Sequence, residues 1–256
     1  MKYVERIAVT SQEDRKNAIL SVLDEMGLPY EIHDTVRSEK TLSNLIVSLN
    51  PSDHRLVIGA HWDSVDGSTG ANDNASSCSI LLRLCESLRD TEKSVDLVFF
   101  DQEEAGCLGS KAYIEETGAE KIAAMVNLDV CGHGRHIVIR GNGNVGNSAF
   151  YGIMTSVNLK KNGVNVLDWL PTGDDRSFAA VQIPNISVCT LETGDLEVFK
   201  RISPKLAAGQ PLSEEENQAF HNVEVLKTMH NGVNDSISAV NQIAMDAVFA
   251  FVAGVL

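Results

Sequence analysis

A chain of 256 residues, 43% of them hydrophobic, can bury the core of one large α/β unit and is too short for two ordinary domains and a linker. No apolar run approaches the ~20 residues needed to span a bilayer, which argues against a membrane partner. The formal charge of −14 opposes a phosphate backbone, and the 21 lysines and arginines form no stripe or aromatic-interleaved patch, so nucleic acid is excluded as a natural partner. The opening MKYVERIAVTSQEDRK has no long unbroken apolar stretch and no small-residue cleavage site. A cytoplasmic location is therefore expected, with an exported protein whose signal has been removed as the alternative. Five dispersed cysteines (Cys78, Cys85, Cys107, Cys131, Cys189), with no C-x-x-C, suggest reduced, buried thiols rather than a disulfide frame.

In chain order, an amphipathic helix is expected over residues 11 to 27, ending at Gly27, followed by the strand-like YEIHD. The short apolar run Leu56 to Ala60 has the character of a strand buried on both faces. Cys78, Leu81, Leu82, Cys85 and Leu88 then form one helical stripe. Further inner strands are expected at Val95 to Phe100, Ala123 to Leu128 and Ile186 to Cys189, and further helices at residues 107 to 117, 148 to 160 and 239 to 252. No repeat, low-complexity tract or linker interrupts residues 1–256, which are read as a single domain. The alternation predicts an α/β fold, a three-layer sandwich around a mixed, mainly parallel sheet, with functional groups at the carboxyl ends of its strands.

Acidic residues and histidines gather just past those strands. His61 and Asp63 follow LVIGA, Glu103 and Glu104 follow VFFDQ, and Asp129 ends VNLD. Asp73 lies in the turn-rich GANDNA that opens into the Cys78 helix, and His230 in the polar MHNG before the last helix is the choice among seven histidines for a final member. Each residue alone is weak evidence, since a strand-end His, a loop Asp or a Glu pair usually has an ordinary structural or solvated role. Together they are carboxylates that repel one another unless a cation neutralises them. Mixed carboxylate and imidazole donors without thiolate suit zinc, with manganese or cobalt as substitutes. His61 and Asp63, two apart on an extended chain, point the same way, so Asp63 is placed to accept the second N–H of His61.

The rival pattern is Gly141-x-Gly143-x-x-Gly146, which follows a strand-like His136 to Arg140 and spells a dinucleotide fingerprint. It sits mid-chain rather than at a first βα turn, so a glycine-rich turn is the preferred reading. G-x-S-x-G and G-x-x-x-x-G-K-[ST] are both absent, which disfavours serine-hydrolase and phosphate-loop chemistry.

From Leu56 onward the chain resembles the co-catalytic zinc exopeptidases of metallopeptidase family twenty-eight, which include leucyl-type aminopeptidases and relatives of glutamate carboxypeptidase and glutaminyl cyclase. The matching stretches are GAHWDS, GANDNAS, FFDQEEAGCLGS, NLDVCG, TGDDRSFAAVQIPNIS and MHNGVNDSI. The resemblance implies a zinc-exopeptidase-like catalytic domain holding two zinc ions. It makes His61 and Asp129 ligands of one ion, Glu104 and His230 ligands of the other, Asp73 the bridge and Glu103 the general base. It also implies a cis peptide bond between Asp73 and Asn74, and a pocket for the first side chain beside the Leu167 to Gly173 loop and the segment after Cys189. Where relatives often carry Ser-Asp-His, this chain has Gly173-Asp174-Asp175, which puts substrate contacts near the metals in question. The implied activity is removal of N-terminal residues from peptides or small aminoacyl compounds. The alternatives are a cyclase-like acyltransferase and a hydrolase of N-acylated amino acids.

Overall fold

The computed structural model describes residues 1, 3–37, 39–141, 156–230 and 234–254. Eight strands form one sheet: β1 (Glu31–Arg37), β2 (Lys40–Leu49), β3 (Arg55–His61), β4 (Val95–Phe100), β5 (Ile122–Leu128), β6 (His136–Gly141), β7 (Asn165–Val166) and β8 (Asn185–Leu191). Their order across the sheet is β1-β2-β4-β3-β5-β8-β6-β7. The central four, β4, β3, β5 and β8, are mutually parallel, while β1–β2, β2–β4 and β6–β8 pair antiparallel. The expected three-layer α/β sandwich with a mixed, mainly parallel sheet is the fold observed.

The inner strands are apolar on both faces because both faces are covered. Ile58, Leu97, Phe99 and Val126 face one layer, formed by α1 (Val4–Ile7), α2 (Gln12–Met26), α3 (Ser77–Ser87) and α9 (Gln242–Ala253). Val57, Val98, Phe100 and Met125 point the other way, onto α4 (Leu108–Thr117) and α6 (Asp175–Ala180). The helix expected over 11 to 27 is α2: the Ser11 hydroxyl accepts the Asp14 N–H at its start, and left-handed Gly27 closes it. All five cysteines are free and buried.

Several elements escaped the sequence pattern, among them the short α1, β7 and α6. β2 was hidden because Ser43 and Asn44 break its apolar run. Both residues tie down the loop after β4, where Asn44 accepts from the Asp101 N–H at 3.0 Å and donates to the Gly109 carbonyl at 2.9 Å. The helices α7 (Thr193–Ala207) and α8 (Glu214–His221) were also missed, although Ser213 and Glu216 form a full capping box that the spacing S-x-x-E announces. Of the Gly141 to Gly146 motif only Gly141 lies within the described residues, as the last residue of β6; most of the expected helix over 148 to 160 also lies outside them, and α5 (Ser156–Lys161) covers its end.

Gly59 in β3 exists for a close approach. A Cβ there would stand 2.2 Å from a ring carbon of Phe100. That ring is fully buried, 5.9 Å from the Tyr113 ring and 6.1 Å from the Phe178 ring, and has no free direction to move. Gly59→Ala is expected to cost about 1–3 kcal/mol through overpacking, read as a lower urea midpoint, and Phe100→Leu in the same chain should recover part of the loss.

Candidate metal centre

The sheet brings the expected residues to one place. From β3 the chain passes through α3 to β4 on one side, and then through α4 to β5 on the other. The reversal opens a crevice at the carboxyl end of β3. His61 is the last residue of β3, Glu103 and Glu104 lie in the turn after β4, and Asp129 directly follows β5. Asp73 comes from the loop entering α3, and its bond to Asn74 is cis. His230 arrives from the segment between α8 and α9.

Two donor groups share Asp73: His61, Asp73 and Asp129 form one, and Asp73, Glu104 and His230 the other. His61 Nε2 is 3.1 Å from Asp73 Oδ1 and 3.5 Å from Asp129 Oδ1. His230 Nε2 is 3.8 Å from Asp73 Oδ2 and 3.6 Å from Glu104 Oε2. Each oxygen of the Asp73 carboxylate thus faces a different imidazole. A tetrahedral zinc with ligands at about 2.1 Å has ligand–ligand edges of about 3.4 Å, so these spacings fit two such ions. Glu104 Oε1 is buried without a hydrogen-bond partner, an orphaned acceptor that a cation would satisfy. The groups differ in access: the His61 side chain is 2% exposed and that of His230 is 60% exposed.

Asparagines on both sides of Asp73 hold it in place. Asn74 donates to the Leu128 carbonyl at 3.0 Å and accepts the Val130 N–H at 3.2 Å, gripping the chain on either side of Asp129. Asn72 donates to the Thr228 hydroxyl at 3.0 Å and accepts the Gly132 N–H at 2.8 Å. Asp63 differs from its expected place: His61 Nδ1 is 3.1 Å from the Asp63 backbone carbonyl and 3.4 Å from its carboxylate. The Asp63 carboxylate instead accepts the N–H groups of Glu103 at 3.0 Å and Glu104 at 3.2 Å, so one acid sets both glutamates. The glutamates stand in a turn, where Gly106 and Cys107 both donate to the Glu103 carbonyl.

Sequence reasoning also missed supporting residues. Fully buried Arg15 donates to the carbonyls of Trp62, Ile7 and Thr69, anchoring the loop that runs from His61 towards Asp73. Asp235 accepts from the Asn72 N–H and the Ser68 hydroxyl, tying that loop to the His230 segment. Only the chance inclusion of Asp235 in MHNGVNDSI pointed to it; an arginine inside an amphipathic helix carries no such signal. Val130, Gln102, Cys107 and His230 all have positive φ, between 47° and 57°. Such backbone strain in a β-branched residue such as Val130 marks a site held in shape by its surroundings.

Electrostatics favour a cation. Burial above all pushes Glu103 up to about 9; Asp174, Asp129 and Asp73 add to the rise, and His61 opposes it. Burial, then Asp73, likewise raises Glu104 to about 8. Asp174, 1% exposed, is pushed up to about 7, first by burial and then by Asp63 and Asp129 against the pull of His61. Burial pulls His61 down, yet Asp129, Asp63 and Asp73 outweigh it and hold the imidazole well above its ordinary value. Carboxyls that keep their protons and an imidazole that gains one describe a crevice with more negative charge than it can carry without a bound cation.

Beside the centre is a mainly apolar pocket reached from His61, Asp73, Glu103, Asp129 and His230 and walled by Val130, Leu170, Pro171, Cys189, Phe199, Leu226 and Met229. Its position matches the one expected from the Leu167 to Gly173 loop. Among the described residues no helix is long and apolar enough to cross a membrane.

A mixed, mainly parallel sheet whose strand ends gather carboxylates and imidazoles into two donor groups defines a class of α/β proteins able to hold metal ions in that crevice. Within it, residues 44–248 match the model of peptidase family M28, and the chain belongs to that family. It is 31% identical over 104 residues to aminopeptidase YwaD of Bacillus subtilis (37% of this chain, 23% of that one) and 31% identical over 130 residues to leucine aminopeptidase 2 of Trichophyton rubrum (48% and 26%). These matches span about a quarter of the length of those relatives. Among solved structures, a zinc aminopeptidase from Bacillus subtilis superposes with a TM-score of 0.61 at 19% identity, covering 85% of this chain and 50% of that one. A glutaminyl cyclase from an Acidobacteriales bacterium gives 0.66 at 15% identity, covering 99% and 89%. Both likenesses concern the fold.

Proposed function

We propose that this protein is a metallo-aminopeptidase that holds two zinc ions and removes apolar N-terminal residues from peptides. The observation that carries the reading is the Asp73 carboxylate, with one oxygen facing His61 and the other facing His230. His61 and Asp129 complete one set of ligands, and Glu104 and His230 the other. When bound, such ions supply Lewis acidity and a water acidic enough to react near neutral pH.

The chain's own residues do the rest. Glu103 faces the pocket alongside His61 and Asp129 and binds no ion in this scheme. It takes the proton of the attacking water and passes it to the leaving amine; bound cations would favour its ionised, proton-accepting form. Asp63 positions Glu103 and Glu104 together through their N–H groups. The apolar wall receives the first side chain and sheds its water.

The near-complete mutual coverage with a glutaminyl cyclase favours a second reading, an acyl transfer that closes an N-terminal glutamine. Against it stand the two complete ligand groups. The deciding experiment counts metal and products together. The parent is expected to hold two zinc equivalents after dialysis, to hydrolyse leucine p-nitroanilide, to leave the N-acetylated analogue intact and to form no pyroglutamate from glutaminyl peptides. One equivalent with cyclisation would establish the second reading, and cleavage of the blocked substrate alone would make the protein an acylamino-acid hydrolase. Zinc affinity should rise with pH, since His61 must lose the proton that its acidic neighbours favour before it can bind an ion.

A further inference from the structure

The departure at Gly173-Asp174-Asp175 has a structural counterpart. Asp129 follows β5, yet apart from His61 at 3.5 Å no donor among the described residues reaches its carboxylate. Its orientation rests on packing. Gly173 presses against it so closely that a Cβ on that glycine would stand 2.7 Å from Asp129 Oδ2 and 3.0 Å from Asn127 Nδ2.

What holds Gly173 there is Asp175, 1% exposed at the start of α6. Its Oδ1 accepts the Gly173 N–H at 3.1 Å, and its Oδ2 accepts from the Arg140 guanidinium at 3.1 Å. Arg140 lies on β6, with its side chain 26% exposed. The line of contact therefore runs from β6 through Arg140, Asp175 and Gly173 to Asp129. A neutral imidazole at this position would have one acceptor nitrogen and could not serve both the Gly173 N–H and a guanidinium. The same loop continues into Leu170, Pro171 and Thr172, which line the apolar pocket.

We propose that Arg140 and Asp175 form a brace that positions Asp129 for the buried metal and holds the Leu170 to Thr172 wall of the substrate pocket against it. Both are positioning residues, and the proposal rests on the metallo-aminopeptidase reading. Without the guanidinium, Asp175 becomes a buried unpaired carboxylate that must take a proton or move, and the Gly173 N–H loses its fixed acceptor. Asp129 then gains rotational freedom. Glu104 and His230 belong to the other donor group, which meets that of Asp129 only through the shared Asp73.

The test is zinc binding by competition with a chromophoric chelator, on the full chain and on Arg140→Met, Asp175→Asn and Asp175→Ala. The expected result is selective: one of two equivalents weakens by about 10–100-fold, the range for a lost outer partner of a metal ligand, while the other stays within a factor of about two. KM for leucine p-nitroanilide should rise more than KM for the alanine analogue, because the pocket wall loosens. Asp175→Asn keeps an acceptor for Gly173 and should lie between parent and Asp175→Ala. The double variant Arg140→Met/Asp175→Ala should be no worse than Asp175→Ala alone, since the two act as one unit. Equal weakening of both equivalents with a lowered melting temperature would reduce the pair to a general structural contact and overturn the proposal, as would no weakening of either. A parent that binds fewer than two equivalents overturns the metal-centre reading and the brace with it; a parent with two equivalents whose variants keep both overturns the brace alone.

Discussion

Glu103→Gln is expected to retain both zinc ions and the parent's melting temperature while its hydrolytic rate falls by ~10²–10⁴, the loss typical of a removed general base. The glutamates at 103 and 104 are chemically alike, and their N–H groups share the Asp63 carboxylate, but their side chains meet different surroundings. Glu103 lines the apolar pocket. Glu104 reaches His230, with Oε2 at 3.6 Å from its Nε2 and Oε1 buried and unpartnered, the environment of a ligand. A glutamine at 103 keeps the size and the backbone bond and removes only the basicity, so substrate should still bind with KM little changed. Glu104→Gln should instead release an ion, and excess zinc should restore part of its activity, which it cannot do for Glu103→Gln. Near-parental activity in Glu103→Gln, or loss of an ion there with retention in Glu104→Gln, would place the base elsewhere in the crevice.

His230→Ala should leave one zinc equivalent where the parent has two, with activity falling in proportion to the vacated site and returning in part at high zinc. Removing a direct donor should weaken its site by more than the ~10–100-fold that loss of an outer partner costs. The ion at risk is the accessible one, because the His230 side chain is 60% exposed whereas His61 and Asp73 are sealed at 2% and 3%. The same contrast predicts that a weak chelator strips the parent in two steps. His221→Ala, at the exposed end of α8, is the control and should keep two equivalents. If His221→Ala lost an ion and His230→Ala did not, the last ligand would be misassigned.

What was legible in the sequence was local. LVIGA followed by His61, VFFDQ followed by Glu103 and Glu104, and VNL followed by Asp129 each place a polar group at a strand end, and parallel inner strands must bring such ends together. The α/β fold, the inner strands and the helices α2, α3 and α9 follow from periods of 2.0 and 3.6 residues that need no distant partner. The strand β2 was illegible because its polar Asn44 is satisfied by Asp101 and Gly109, more than 50 residues away in the chain, and its Ser43 hydroxyl by Asp34 and Lys16.

Tertiary structure alone decided the rest, for one physical reason: a side chain whose role is to hold another segment is defined by that segment. Arg15 looks like any exposed helix cation until the fold buries it on the carbonyls of Trp62 and Thr69. Asp235 is a loop acid until Ser68, 167 residues earlier, donates to it. The role of Asp63 passed from the His61 ring to the backbone of the two glutamates because the turn after β4 delivers their N–H groups to its carboxylate. Asp175 read as a lost histidine until Arg140, from another strand, was seen to complete it. Residue types and spacing determined which groups reach the crevice; how each group is aimed was set by hydrogen bonds and packing between parts of the chain that sequence order keeps apart.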